Sequence, residues 1–206
     1  RSKRHAEFAS APVRLPAHAG GGYPDGAEEL RRLLDGYLES HRETVARRPL
    51  GIAAPHASPW AAWQSYAAAY GRLGPARKDD EETTVVILGT SHYGQPERFG
   101  LTRKPFATPL GQIETNLEMV DILLEKAPRS IVIEDYCHAI EHSIEFQTLF
   151  LQQVLGSNFR ILPILCGSFF ESLATREIPE RNDRVDRFIY GDRKSTRLNS
   201  SHIPLS

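Results

Sequence analysis

The sequence predicts an α/β fold, a three-layer sandwich with a largely parallel central sheet. Short apolar runs rich in Val, Ile and Leu alternate with segments whose apolar residues recur at helical spacing. That alternation is typical of parallel sheets covered by helices. With 206 residues, 40% of them hydrophobic and 25% charged, the chain is long enough for one sizeable core and has an ordinary globular composition.

The first part of the chain is predicted to hold an irregular segment, two helices and a strand. Residues 1–18 are basic and then rich in Ala and Pro, so we expect an irregular N-terminal segment. Asp25 is a candidate N-cap for a helix with apolar residues at i, i+3, i+4, i+7 and i+8; these are Leu30, Leu33, Leu34, Tyr37 and Leu38. A short buried strand is predicted over 48–54, an Ala-rich helix over 60–70 and a charged loop over 77–82.

The second part continues the alternation. The clearest strand is predicted over residues 83–88, and residues 99–113 are predicted to form a short strand or hairpin broken by Pro105 and Pro109. Helical periodicity predicts helices over 116–126 and 139–155, the second ended by Gly156. Two further strands are predicted over 130–133 and 159–165.

The last residues differ in character from the rest of the chain. Residues 193–206 have neither helical nor strand periodicity and resemble translated sequencing-adapter sequence, so we treat them as a non-native tail. We therefore expect residues 19–192 to be an incomplete, C-terminally truncated domain.

Charge and hydropathy exclude several classes of partner. The formal net charge is −1, from 25 basic and 26 acidic residues, which argues against a broad nucleic-acid interface. No apolar run reaches the roughly 18 residues that a membrane-spanning helix needs, and no apolar leader is visible at the start. Cys137 and Cys166 form no CxxC motif, and two cysteines are too few for a disulfide framework. A cytoplasmic location is the expectation.

Two histidines each follow an apolar run that is predicted to be a strand. His56 comes after Gly51-Ile52-Ala53-Ala54-Pro55, and His92 comes after the run that ends in Gly89-Thr90-Ser91. Groups just past the carboxyl ends of neighbouring strands in an open α/β sheet converge on one crevice, where such folds bind ligands. Two imidazoles at that crevice favour a metal site or an acid/base site. The alternative is that each histidine only caps a strand end.

Two other patterns allow a different ligand set. Cys166 also follows a predicted strand, so it is either a third ligand beside His56 and His92 or a small buried residue. The run His138-Ala139-Ile140-Glu141-His142 matches the H-x-x-E-H signature of a zinc peptidase, in which two histidines on one helix face bind zinc and the glutamate is the base. That short pattern recurs by chance, and peptidases with this signature need a much larger two-lobed chain.

Several segments in register resemble one known family. They are Ala19-Gly20-Gly21-Gly22-Tyr23-Pro24, Ala54-Pro55-His56-Ala57, Ile87-Leu88-Gly89-Thr90-Ser91-His92, Thr108-Pro109-Leu110-Gly111, Glu141-His142-Ser143-Ile144-Glu145-Phe146-Gln147 and Ile161-Leu162-Pro163-Ile164-Leu165. Together they resemble the Memo family, whose bacterial and archaeal members are called AmmeMemoRadiSam system protein B. The resemblance runs from about residue 19 to 168.

The resemblance carries specific expectations about the site. The family is similar in fold to class III extradiol dioxygenases, which hold non-haem iron with two histidines and a carboxylate. It implies that His56 and His92 are metal ligands and that His142 is an acid/base group beside the metal. Iron or copper is the implied cofactor. The third ligand would be a cysteine in a later segment that this chain does not contain, and Cys166 does not match it.

The resemblance also implies partners, and the departures from the family pattern bear on them. A small molecule or peptide would occupy the site, with radical-SAM and AMMECR-type proteins as system partners.

Where the family continues Pro-His-Ala-Gly-Tyr, this chain has Ser58-Pro59-Trp60 after Ala57, and Tyr93 stands where a second histidine is common. After Gln147 the chain has Thr148-Leu149 in place of Leu-Pro. These changes put the substrate in doubt. A non-catalytic protein that holds a peptide or partner in the same pocket is the alternative.

Overall fold

The computed structural model describes residues 2–41, 49–74 and 83–190. It has the predicted α/β architecture, with an open and largely parallel central sheet. The strands are β1 (Thr84–Thr90), β2 (Phe99–Leu101), β3 (Phe106–Thr108), β4 (Gly111–Thr115), β5 (Ile131–Ile133) and β6 (Arg160–Cys166). The helices are α1 (Ser2–Ser10), α2 (Ala27–Glu39), α3 (Pro59–Tyr70), α4 (Leu117–Lys126), α5 (Cys137–Ile140), α6 (Glu145–Leu155), α7 (Phe170–Ala174) and α8 (183–190), with a 3₁₀ turn at Pro179–Arg181.

Strand β6 lies at the centre of the sheet. It pairs in parallel with β1 along its whole length, from Thr84 opposite Arg160 to Thr90 opposite Cys166. On its other side it pairs first with β4 in parallel and then with β2 in antiparallel orientation. Strand β2 also pairs in parallel with β5, and β3 forms a hairpin with β4. The carboxyl ends of β1 and β6 therefore meet at one edge of the sheet.

Alternation along β6 explains the three layers. Successive strand side chains point to opposite faces of a sheet. Ile161 and Leu165 belong to a core cluster with residues of α2, α3 and α6. Leu162 and Ile164 belong to a second cluster with residues of α4 and α8. The sheet is thus covered by helices on both faces, as predicted.

Most predicted elements are present, with small shifts at their ends. Helix α2 buries Leu30, Leu34 and Leu38, as its periodicity predicts, but Gly26 rather than Asp25 is its N-cap. Helix α4 begins where expected, and the Asn116 side chain accepts a hydrogen bond from the Met119 N–H, so it satisfies one of the free donors of the first turn.

Three predicted elements are wrong in part. Residues 2–10 of the segment expected to be irregular form α1, which Phe8 anchors through its buried ring against Tyr136. Residues 49–54 form no ladder with β1, although Ile52 and Ala54 pack on the core. The helix predicted over 139–155 is broken at 141–144. Tertiary contacts at 49–54 and 141–144 outweigh local propensity.

Two predictions fall outside the described residues: the charged loop at 77–82 and the non-native tail at 193–206. Within the part of the chain that the structure describes, no helix is long and apolar enough to cross a membrane.

Candidate metal centre

Three imidazoles converge at the carboxyl end of β1. His56, His92 and His142 each offer one ring nitrogen, and these nitrogens all lie within 4.8 Å of one another. Their ring centroids are 5.3 Å apart for His56–His92, 5.7 Å for His56–His142 and 5.1 Å for His92–His142. His56 and His92 are exposed and His142 is partly buried. The structure therefore brings together all three histidines that the sequence singled out.

His92 is positioned by the end of β1. The Ser91 N–H donates to the Cys166 carbonyl at 2.9 Å, which continues the ladder between β1 and β6 by one residue. The Ser143 hydroxyl donates to the Thr90 carbonyl at 2.8 Å and ties this strand end to the segment that carries His142. Because the backbone on both sides is bonded, the His92 loop leaves the sheet in a fixed direction.

His56 is held by side chains although its segment is not a strand. The Gln147 amide donates to the Pro55 carbonyl at 3.0 Å, and the Tyr66 hydroxyl donates to the Ala57 carbonyl at 3.0 Å. Gln147 lies on α6 and Tyr66 on α3. These bonds on either side of His56 replace the ladder that the sequence predicted, and they direct the imidazole toward His92.

His142 lies in the four-residue turn between α5 and α6. Helix α5 ends at Ile140, and Glu141 is extended, with φ −76° and ψ 141°. The chain re-enters a helix at Glu145, and the Phe146 N–H donates to the His142 carbonyl at 3.0 Å. The Phe146 ring lies 5.3 Å from the His142 ring. The helix break therefore turns His142 toward the strand end that carries His92.

A buried carboxylate sets the orientation of His92. Glu141 is 2% exposed and accepts from the His92 backbone N–H at 2.7 Å. Its other oxygen lies 2.9 Å from Nδ1 of His92. Because a carboxylate only accepts hydrogen bonds, the Nδ1 atom carries the proton and Nε2 keeps its lone pair. Such carboxylate–histidine contacts are usual behind metal-binding imidazoles.

Burial lowers the pKa of His142 below its usual value. The nearby imidazoles of His92, His18 and His56 add to this effect, while Glu141 opposes it. The imidazole of His142 is therefore neutral near pH 7, and a neutral imidazole can bind a metal or accept a proton.

The donor set fits a first-row transition metal. Imidazole nitrogen is a suitable ligand for iron, copper, zinc and nickel, and three such nitrogens lie within reach of one ion. Glu141 already holds the His92 ring in the tautomer that leaves Nε2 free for an ion. The fit does not choose between iron and copper, and the roles assigned to His56, His92 and His142 stay predictions.

The alternative ligands named by the sequence lie elsewhere. His138 is 1% exposed, and its Nε2–H donates to the Gly100 carbonyl at 3.0 Å. Since the helix breaks between His138 and His142, the two do not share a helix face, as the zinc-peptidase hypothesis requires. Burial raises the pKa of the Cys166 thiol to about 11, and Cys166 is not among the described residues that could share an ion with the triad.

Two features of the site were missed by sequence reasoning. Glu141 was considered only as the base of a peptidase, whereas it is the hydrogen-bond partner of His92. His18 was not singled out, yet its ring lies 5.6 Å from the ring of His142. No local pattern links residues that lie 49 or more positions apart in sequence, so only the fold reveals these contacts.

The comparisons with known proteins agree on one family. The family model described as "Memo-like protein" matches residues 14–178. The chain is 38% identical over 169 residues to a "MEMO1 family protein" of Ignicoccus hospitalis, covering 74% of this chain and 56% of that protein. It is 31% identical over 172 residues to a protein of the same name from Aquifex aeolicus, covering 84% of this chain and 44% of that protein. The chain thus spans about half the length of these curated relatives.

Proposed function

Because this chain belongs to the Memo-like protein family, we propose that it binds an iron or copper ion through His56 and His92, with His142 as the group that holds and moves a proton beside the ion. The observation that carries this proposal is the approach of three imidazole nitrogens to within 4.8 Å of one another. No reaction follows from family membership alone, so the ion and the role of each histidine are part of the proposal.

The residues of this chain have distinct tasks in the proposed site. Glu141 keeps the proton of His92 on Nδ1 and directs Nε2 to the ion. His142 is neutral because burial lowers its pKa, so it can accept a proton from a bound substrate and return it later. When bound, the ion supplies Lewis acidity, open coordination positions and, as iron or copper, one-electron redox chemistry. The proposed activity is therefore that of a metal-dependent oxidoreductase.

The substrate and partners belong to the proposal as well. A small molecule or a peptide would reach the triad from solvent, since His56 and His92 are exposed. A dioxygenase-like scaffold and association with radical-SAM and AMMECR-type proteins are what the family suggests. Family members commonly have Gly-Tyr at the two positions after the residue that matches Ala57. This chain continues with Ser58-Pro59-Trp60, which changes the pocket surface next to His56, so we expect the pocket to bind a different molecule.

Metal content of purified variants tests the proposal. We expect elemental analysis to find close to one iron or copper per chain in the protein as it stands, and to find almost none in His56→Ala or His92→Ala. His142→Ala should keep most of its metal, because His142 is assigned a proton and not the ion. His41→Ala, a histidine outside the triad, is the matched control and should keep its full metal content.

Three results would contradict this proposal. Unchanged metal content in both His56→Ala and His92→Ala would remove the metal site. Loss of metal in His142→Ala as well would assign His142 to the ion and remove its proton-transfer role. If instead His138→Gln emptied the protein while His56→Ala did not, the zinc-peptidase hypothesis would take its place.

A second candidate function is supported by a groove that leads to the same site. A groove of about 720 Å³ lies between residues 49–56 and β1, and its lining includes Leu151, Leu155 and His56. A non-catalytic protein that holds an extended peptide there would use the apolar floor and not the ion. Under that hypothesis His56→Ala would lose metal yet still bind the peptide, whereas Leu88→Asp, at a lining residue that is 66% exposed, would abolish peptide binding.

A further inference from the structure

The two helix ends that flank His142 are joined by one buried ion pair. Arg14 and Glu145 are 1% and 0% exposed, and the Nη1 atom of Arg14 forms an ion pair with Oε2 of Glu145. Glu145 is the first residue of α6. The pair therefore connects an N-terminal arm, which we define as residues 14–23, to the start of the helix that follows the metal-centre turn.

Arg14 also binds the other end of that turn. Its Nε–H donates to the His138 carbonyl at 2.8 Å, and its Nη2–H donates to the Glu141 carbonyl at 2.9 Å. Carbonyls at a helix end lack partners within the helix, and a guanidinium is suited to bind two acceptors at once. One side chain thus fixes the last carbonyls of α5 and, through Glu145, the beginning of α6.

Glu145 fastens the arm in return. Its carboxylate accepts from the backbone N–H groups of Ala17 at 3.1 Å and His18 at 2.9 Å, and from the Tyr23 hydroxyl. Burial and the adjacent carboxylate raise the pKa of Tyr23, so its hydroxyl stays a donor. The anchored arm carries His18, whose Nε2–H donates to the Ile140 carbonyl at 3.0 Å and whose ring lies against His142.

We propose that Arg14 and Glu145 are positioning residues for the metal centre: they set the turn over residues 141–144, and with it the distances from His142 and Glu141 to the other two imidazoles. Glu141 and His142 are consecutive and both lie in this turn. A shift of the turn would move His142 and would also release the carboxylate from His92. The N-terminal arm is therefore part of the metal centre although it supplies no ligand. This inference rests on the proposed metal binding.

A double substitution separates positioning from stability. Removing one partner of a buried ion pair leaves an uncompensated charge and can unfold a protein, whereas replacing both partners avoids that penalty. We therefore choose the full chain with Arg14→Met and Glu145→Gln together.

The matched control is Lys104→Met with Glu134→Gln. That pair is 2.9 Å apart, with Lys104 7% and Glu134 26% exposed. Lys104 donates to the Ala9 carbonyl, and Glu134 accepts from Thr102 and Arg103.

The measurement is a titration with Co²⁺, whose visible absorption reports ligand geometry, run beside near-ultraviolet circular dichroism. We expect the Arg14/Glu145 double variant to stay folded and to bind Co²⁺ about tenfold or more weakly than the unaltered protein, with a changed spectrum, as when contacts behind metal ligands are lost. The Lys104/Glu134 double variant should bind within about twofold of the unaltered protein, since its pair does not touch the turn.

The outcomes are distinct. No Co²⁺ binding by the unaltered protein would contradict the proposed function itself. Wild-type affinity and spectrum in a folded Arg14/Glu145 double variant would overturn the positioning role alone. If that variant does not fold, the single variant Arg14→Lys is measured in its place. A lysine keeps the charge opposite Glu145 but cannot reach both carbonyls, so this variant should bind Co²⁺ more weakly than the unaltered protein. An unchanged affinity and spectrum would overturn the inference.

Discussion

The buried histidine His138 makes the stability of this protein depend on pH. His138 is 1% exposed, and burial lowers its pKa from 6.5 to about 4. Its Nε2–H donates to the Gly100 carbonyl, while Nδ1 has no partner among the described residues. The folded state thus favours the neutral ring, and the unfolded state takes up a proton at higher pH.

The sign follows from these two pKa values. The contribution of His138 to stability is fully present above about pH 6.5 and is lost as the pH falls toward 4, because only the unfolded chain is protonated in that range. Between pH 7 and pH 5 the loss amounts to about 2 kcal/mol. We expect chemical denaturation of the metal-free protein to show this loss, and His138→Gln to remove most of it. Equal pH dependence in both proteins would contradict this assignment.

At the residue scale, the sequence indicated the candidate metal ligands but not the residues that hydrogen-bond to them. His92 could be predicted because it follows an apolar run that forms β1 and ends at the edge of the sheet. His56 was predicted from a strand that does not form, and hydrogen bonds to the carbonyls on either side of it hold its segment instead. The role of His138 could not be predicted from the sequence, since its spacing to His142 also fits two zinc ligands on one helix. Only the extended backbone at Glu141 shows that the helix breaks there and that the two rings point to different places.

At the element scale, the close approach of β1 to the metal-centre turn depends on a glycine. A Cβ atom built on Gly89 would lie 2.6 Å from Cγ1 of Ile144 and 2.7 Å from Oγ of Ser143. Both contacts are far shorter than van der Waals distance, so a side chain would push the turn away from the strand. Gly89 thereby lets β1 and residues 141–144 share one edge of the site.

Gly89→Ala should therefore destabilise the protein, by about 2 kcal/mol, since overpacking in a closed space forces backbone shifts. Gly36→Ala is the matched control. Gly36 is exposed in the middle of α2, and a Cβ there meets nothing within 4 Å, so its higher helix propensity should stabilise the protein by about 1 kcal/mol. Thermal unfolding of both variants checks the prediction. A Gly89→Ala protein as stable as the parent would show that the turn moves at no cost.

The elements that the sequence predicted well are those with strong periodicity and local signals. Helix α4 has its Asn116 cap, and β6 is a continuous apolar run that is buried on both faces. The segment at 49–54 was predicted wrongly because an apolar run cannot tell whether its backbone pairs with a neighbour. The hydrogen bonds that hold the chain just after it, at the carbonyls on either side of His56, come from Gln147 and Tyr66, residues on two helices that no local pattern connects to this segment.

At the scale of the whole molecule, the two faces of the sheet serve different purposes. One face packs on α2, α3 and α6 and carries the candidate metal centre. The other packs on α4 and α8, where the Phe188 ring stacks on Phe99 with centroids 3.6 Å apart. Strand β6 contributes alternate side chains to the two core clusters. The helices on the two faces therefore pack on the same strand, but each set contacts a different core cluster.

This separation predicts different outcomes for two equivalent substitutions. Phe146 and Phe188 are each 4% exposed, but the Phe146 ring lies 5.3 Å from His142 and 5.7 Å from His18. Phe146→Leu and Phe188→Leu should each cost about 1 kcal/mol of stability. Only Phe146→Leu should also weaken Co²⁺ binding, by roughly threefold to tenfold, because it removes the ring that supports His142. Equal Co²⁺ affinities in the two folded variants would mean that the site does not depend on the face of the sheet that carries it.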